Sequence, residues 1–208
     1  MNPPVRVLVV EDHFLARIAL HGVLDAQPGF QIVAEGSAGQ DAIRLYREHQ
    51  PDVVIMDLKL IGVSGFEAIE AIRREHPSAR ILVLSNLHGS EDVYRAMKCG
   101  ARGYLTKDAN GKQLVSAIRT IASGGRFIPA SLETMLAERC PAQDITPREH
   151  DVLRLLAEGS STVEIAQQLK IADKTVRIHI GNLLEKLGAR DRTHALVVAL
   201  HRGIIHLD

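Results

Sequence analysis

The sequence predicts an α/β doubly wound, five-stranded parallel sheet followed by a small all-α, four-helix helix-turn-helix domain. Three observations carry the prediction. Over the first 125 residues, short β-branched runs alternate with helix-length amphipathic stretches, the pattern of helices wound on both faces of one sheet. Three of those runs are continuously apolar rather than alternating, as strands covered on both faces require. From about Gly124 onward the strand signal stops and every periodic segment is helical.

In chain order, the predicted strands are Val5–Val10, Gln31–Glu35, Val53–Asp57, Ile81–Ser85 and Gly103–Thr106. Between them, Asp41–Glu48, Gly65–Glu75 and Ser90–Lys98 carry helical spacing. Gly124-Gly125 ends a helix, and Pro129 and Pro141 bracket a short amphipathic helix over Ser131–Arg139, so this punctuated segment reads as a linker. The expected boundaries are 1–124 for the first domain, 125–142 for the linker with its short helix and 143–208 for the helical domain.

Thr146-Pro147-Arg148-Glu149 then forms a capping box, with Thr146 as N-cap, Pro147 at the first helical position and Glu149 at the third. That helix runs through Glu158 to Gly159. A second cap near Ser161 or Thr162 opens Val163–Leu169, a third helix runs from Asp173 to Leu187 before Gly188, and a fourth covers about Arg192–Leu200.

Composition sets the limits. A chain of 208 residues with 46% hydrophobic content can bury a core, and 208 is compatible with one large domain or two small ones. The absence of Trp makes that core aliphatic. Cys99 and Cys140 stand far apart in no metal or redox spacing, which reads as two buried small apolar residues in a reducing compartment. No signal segment and no apolar stretch of about 20 residues is visible, so a cytoplasmic protein with no membrane partner is expected. Net charge is zero, and residues 143–208 hold nine Lys/Arg against nine Asp/Glu. Bulk electrostatics therefore argue against nucleic-acid binding unless positive charge is gathered on one face.

The chemistry gathers at strand ends. In a doubly wound sheet the functional crevice lies beyond the carboxyl ends of the strands. Strand 1 ends in Glu11-Asp12, strand 3 in Asp57 and strand 4 in Ser85, and Lys107 follows strand 5. A lone Asp after a strand is usually a helix cap; the conjunction of three carboxylates, a hydroxyl and an ammonium carries the weight. Clustered carboxylates repel one another, and a hard divalent cation such as Mg²⁺ relieves that repulsion. The same ion neutralises a phosphoryl group transferred to a carboxylate oxygen, with Ser85 and Lys107 available to its other oxygens. Such a site responds to phosphate rather than enclosing a substrate.

With that spacing, Glu11-Asp12, Asp57, Ser85 and Lys107 resemble the receiver domain of two-component response regulators, flavodoxin-like in fold, across residues 5–125. The resemblance implies that Asp57 accepts phosphate from a sensor histidine kinase. It implies Mg²⁺ bound by Glu11, Asp12, Asp57 and the backbone carbonyl of Lys59. It also implies that Tyr104, three residues before Lys107, is an aromatic switch that turns inward as Ser85 moves toward the phosphate; a half-buried strand aromatic is the plain alternative. Some positions depart from the family. Leu60-Ile61 replaces a usual Met-Pro, Ser64 stands where Asp or Asn is common, Lys59 sets a cation beside the pocket, and Asn86 replaces a small residue.

In the helical half, Val163–Leu169 and Asp173–Leu187 are joined by the short turn Lys170–Ala172, which fits a helix-turn-helix. Val176, Ile180, Leu183, Leu184 and Leu187 follow core spacing, while Lys174, Thr175, Arg177 and Gly181 fall largely opposite, with His179 and Asn182 near the boundary. Lys174 and Thr175 in the first turn suit phosphate oxygens, and Arg177 suits a base edge or a phosphate. Two cations on an outer face are also what any solvated helix carries.

The wider sequence tips that balance. Thr146-Pro147-Arg148-Glu149, Leu156-Ala157-Glu158-Gly159, Glu164-Ile165-Ala166, Thr175-Val176-Arg177, His179, Lys186-Leu187-Gly188 and Arg192-Thr193 resemble the LuxR-type domain of the NarL/FixJ subgroup, over about residues 143–205. The resemblance implies sequence-specific binding of double-stranded DNA through Lys174, Thr175, Arg177, Ile178, Gly181 and Asn182. It also implies a homodimer when phosphorylated, through Leu196, Val197 and Leu200 of the last helix, although core packing alone explains part of that stripe. RNA polymerase is a further expected contact. Here too the pattern departs: Ser161 replaces Asn, Ala172-Asp173 replaces a serine cap, and Gly181 stands where Lys is frequent, which removes a phosphate anchor.

The expected function is a phosphorylation-dependent transcription regulator without enzymatic turnover of its own. A receiver reduced to a constitutive dimerisation module fits poorly, because the full pocket set is present. An aspartyl-phosphate phosphatase resembling the haloacid dehalogenases requires a second Asp two residues past the nucleophile, where this chain has Lys59.

Overall fold

A computed structural model describes residues 3–137 and 145–206. It divides into two compact units, one built on a sheet and one helical. Cys140, Pro141, the last two residues of the expected linker helix and the expected junction at 142–143 lie outside the described residues.

The sheet unit contains β1 (Val5–Val10), β2 (Phe30–Gly36), β3 (Val53–Met56), β4 (Ile81–Ser85) and β5 (Gly103–Thr106). Each lies within one residue of its predicted bounds. All pairings are parallel, in the order β2-β1-β3-β4-β5. The chain leaves β1 for β2 on one side and returns to β3 on the other, so the crevice beyond the carboxyl ends opens at β1/β3. Five helices cover the sheet: α1 (Phe14–Asp25), α2 (Gly39–His49), α3 (Gly65–Glu75), α4 (Ser90–Cys99) and α5 (Gly111–Ala122).

Strand alternation sorts the core. Val7, Val9, Val53, Ile55, Leu82 and Leu105 pack with Leu20 and Leu24 of α1 and with Leu114, Ile118 and Ile121 of α5. The intervening residues Leu8, Val10, Val54, Met56 and Val83 are equally buried and point to the opposite face, where α2 and α3 lie side by side. The continuity of the apolar runs is thus a consequence of two covered faces. One strand-like feature follows α5 without a sequence signal. Phe127 bridges to Gly103, its amide bonding the Arg102 carbonyl at 3.1 Å and its carbonyl accepting from Tyr104 at 3.0 Å.

A short helix, α6 (Ala130–Ala137), follows, and the helical unit then comprises α7 (Pro147–Ala157), α8 (Thr162–Leu169), α9 (Asp173–Leu187) and α10 (Arg192–Arg202). Thr146 caps α7 and Ser161 caps α8, each in a full capping box, and Asp191 caps α10 by accepting from the His194 amide at 2.8 Å. Val152, Leu153, Ile165, Val176, Ile180, Leu183, Leu187, Ala195 and Ala199 form one core. Its aliphatic stripe on α9 is the predicted one, with Leu184 half-buried against it.

Candidate functional site

Three chain segments meet at the β1/β3 crevice. Glu11 and Asp57 leave the ends of their strands 2% and 3% exposed, and the Asp57 amide is held by the Val10 carbonyl at 3.0 Å. Lys107 bridges them. Its Nζ stands 2.6 Å from Asp57 Oδ2 and 2.9 Å from Glu11 Oε1. Burial by itself pushes the Lys107 ammonium down, and the two carboxylates outweigh it, so its pKa is raised.

The other Asp57 oxygen, Oδ1, accepts the backbone amides of Leu58 at 2.6 Å and Lys59 at 3.3 Å. The Lys59 side chain itself is exposed. Gly65, at the start of α3, makes this loop possible. A Cβ there would stand 2.1 Å from the Asp57 carbonyl oxygen, so only glycine permits the approach.

The remaining predicted residues are partly gathered. Asp12 is half-buried beside the pair. Ser85 is fully buried, and its hydroxyl accepts the Leu87 amide at 3.3 Å. Tyr104 is fully buried, with its hydroxyl donating to the Leu87 carbonyl at 2.5 Å. The ring is therefore fully rather than half buried.

Sequence reasoning passed over His13. Its Nδ1 lies 3.0 Å from Asp12 Oδ1, and its amide donates to Glu11 Oε1 at 3.0 Å. Its place next to Glu11-Asp12 was the available signal. Glu11, Asp12, His13 and Asp57 each offer one ligand atom within 4.8 Å of the others. Three of the four donors are hard carboxylate oxygens, which fits a divalent cation of the Mg²⁺ kind. The imidazole suits that ion less well and serves as a partner of Asp12.

In the helical unit, Lys174, Arg177, Ile178, Gly181 and Asn182 form an exposed face of α9, and Thr175 is half-buried at its edge. Lys174 and Arg177 make no ion pair among the described residues. The N-cap of α9 is Ala172, which offers no side-chain acceptor; the Thr175 amide bonds the Ala172 carbonyl at 2.8 Å, which leaves the amides of Asp173 and Lys174 for an anion.

A partly buried ion pair fixes the helix from behind. Lys186 Nζ donates to Glu149 Oε2 at 2.6 Å, and Glu149 is 3% exposed. The same oxygen accepts the Thr146 amide and hydroxyl, both at 2.8 Å. Burial would raise the Glu149 pKa; Lys186 and Thr146 outweigh it, so it is lowered. The sequence marked Glu149 as a cap residue and missed its second role. On α10, Leu196 and Leu200 are half-buried against the unit's own core, and Val197 is 46% exposed.

Comparison with known proteins bears on both units. The family described as response regulator receiver domain matches residues 7–119, and the luxR family of bacterial regulatory proteins matches residues 143–199. The nitrate/nitrite response regulator protein NarP of Escherichia coli (strain K12) is 37% identical over 206 residues, 96% of either chain. The transcriptional regulatory protein LiaR of Bacillus subtilis (strain 168) is 36% identical over 207 residues, covering 96% of this chain and 98% of its own. Among solved structures, a LuxR-family two-component response regulator from Aurantimonas sp. SI85-9A1 is 38% identical with a TM-score of 0.62, over 65% of this chain and 96% of that one. RcsB of Salmonella enterica serovar Typhimurium, bound to promoter P1flhDC with phosphomimetic BeF3-, is 25% identical with a TM-score of 0.72, over 93% of this chain and 97% of that one.

Proposed function

Because this chain belongs to the response regulators with a LuxR-type DNA-binding domain, and so to the transcriptional regulators of two-component systems, we propose that Asp57 is its phosphoryl acceptor. The observation that carries the reading is the meeting of Glu11, Asp12 and Asp57 at the sheet's switch point, with Lys107 2.6 Å from Asp57. An Asp57 carboxylate oxygen attacks the phosphorus of a phosphohistidine on a sensor kinase. The P–N bond breaks, its electron pair goes to the imidazole, and an acyl phosphate remains on Asp57. Glu11, Asp12, Asp57 and the Lys59 backbone carbonyl would hold Mg²⁺, which supplies neutralising charge at the phosphoryl oxygens. Lys107 follows the negative charge from the carboxylate to a phosphoryl oxygen, and the Ser85 hydroxyl turns from the Leu87 amide to donate to another. Tyr104 transmits that movement to the loop it holds at Leu87.

The output reading is that α9 enters the major groove. Lys174 and Thr175 bind phosphates, and Arg177, Ile178, Gly181 and Asn182 face the bases. Leu196, Val197 and Leu200 pair two copies of the phosphorylated protein, with Val197 the contact least committed to the core. The domains run 1–124 and 143–208 about a linker. Among the described residues no helix is long and apolar enough to cross a membrane, and we place the protein in the cytoplasm, with RNA polymerase as a further contact. It carries out no turnover chemistry on a substrate.

The test compares operator binding with and without an acyl-phosphate donor, in wild type and Asp57→Ala. Tighter binding only for wild type with donor supports the reading; equal binding in all four cases sinks the switch.

A further inference from the structure

The three acidic side chains of the crevice are not held alike. Asp57 is fixed by Lys107 and by the Leu58 and Lys59 amides. Glu11 is fixed by Lys107 and by the His13 amide, which donates to Oε1 at 3.0 Å. Asp12 has one partner among the described residues, the His13 ring, whose Nδ1 lies 3.0 Å from Oδ1. It is also the most open of the three, its side chain 20% exposed against 2% for Glu11 and 3% for Asp57.

His13 stands where another type of side chain is usual. It is the N-cap of α1, and its carbonyl accepts the Arg17 amide at 3.1 Å. Ser, Thr, Asp or Asn at that position would accept a first-turn amide. The imidazole makes no such bond and turns back to Asp12 instead. Backbone contacts fix the loop without it. The Glu11 amide donates to the Gly36 carbonyl at 3.0 Å, and Arg17 Nη1 donates to the Glu11 carbonyl at 2.7 Å. What the ring adds is therefore the orientation of one carboxylate. A carboxylate already oriented binds a metal ion without first losing its rotational freedom, and hydrogen-bonded partners behind metal ligands raise affinity in this way.

We infer that His13 is a positioning residue for the divalent cation, its Nδ1–H holding Asp12 Oδ1 so that the other carboxylate oxygen stays free for the ion. This rests on the reading of Glu11, Asp12 and Asp57 as the ligands of that ion.

The experiment titrates the full unphosphorylated chain with Mn²⁺, counting the free ion by electron paramagnetic resonance, and then displaces it with Mg²⁺ or Zn²⁺. His13→Ala should bind all three about tenfold more weakly, the lower end for a lost partner of a metal ligand. His13→Asn should restore the affinity, because its amide nitrogen stands as many bonds from Cβ as Nδ1 does. His13→Gln, one bond longer, should not. In a chelator His13→Ala should melt within about 2 °C of wild type, since exposed pairs contribute little. A larger drop there assigns the ring to stability and overturns the inference. So does a loss in His13→Asn as large as in His13→Ala, or a loss confined to Zn²⁺, which would make the imidazole itself a ligand. Wild-type affinity in His13→Ala, with Asp12→Asn impaired, overturns the inference and leaves the ligand reading intact. Wild-type affinity in Asp12→Asn as well overturns both.

Discussion

Lys107 Nζ lies 2.6 Å from Asp57 Oδ2 and bridges to Glu11, a residue 96 positions away in sequence. One ammonium thus balances two carboxylates that are each almost fully buried. Replacing it with an uncharged chain of similar length leaves two buried anions facing each other. Lys107→Met is expected to lose about 1–3 kcal/mol of stability in the presence of a chelator. Added Mg²⁺ should then stabilise the variant more than wild type, since binding to the native state adds to stability by mass action. Urea titrations with and without the metal measure both effects.

Tyr104→Phe removes the hydroxyl that donates to the Leu87 carbonyl. The expected loss is about 1 kcal/mol, with faster hydrogen exchange at residues 86–88. Labelling of Asp57 by an acyl-phosphate donor should persist, because the Asp57 oxygens keep Lys107 and the Leu58 and Lys59 amides as partners. The response of DNA binding to phosphorylation should fall. A variant with an unaltered response would assign Tyr104 to core packing alone.

The Glu149–Lys186 pair predicts a pH dependence. The Glu149 pKa in the folded protein lies below its unfolded value, so its stabilisation is fully present above about pH 4.3, the ordinary glutamate value. It is lost as pH falls through the folded-state value. Thermal melts of wild type should therefore weaken on acidification below about pH 4.3. Glu149→Gln should be less stable at pH 7 by about 1–3 kcal/mol, and should depend less on pH in that acid range. Identical acid slopes would remove Glu149 from the account.

Ala172→Ser supplies the acceptor that the N-terminus of α9 lacks. A gain of about 1 kcal/mol is expected, read as a higher urea midpoint with unchanged slope. DNA affinity should not rise with it, because the new hydroxyl would take the Lys174 amide that a phosphate would otherwise bind.

The strands and α3, α7, α8 and α9 were legible because their signals are local. Apolar runs, a capping box and glycine stops each act within a few residues. The meeting of Glu11, Asp12, Asp57 and Lys107 was legible for a related reason: a parallel sheet places every strand's carboxyl end on one edge. The Phe127 bridge was not legible, since one pair of backbone bonds to Arg102 and Tyr104 leaves no periodicity. The same holds for the α10 stripe. Leu196, Val197 and Leu200 look alike in sequence, yet the core takes up part of the two leucines and leaves Val197 46% exposed.

What the sequence by itself determined is the order of elements, the two-unit plan and the residue types at the crevice. Tertiary structure alone decided which atoms meet. It set the Leu58 and Lys59 amides on Asp57, joined Tyr104 to Leu87 and tied the N-cap of α7 to the far end of α9 through Glu149 and Lys186. It also separated Gly65, whose Cβ would strike the Asp57 carbonyl, from Gly181, whose Cβ would meet nothing. The physical reason is that periodicity reports which face a residue occupies, whereas a hydrogen bond or a steric clash depends on ångström-scale distances between segments far apart in the chain.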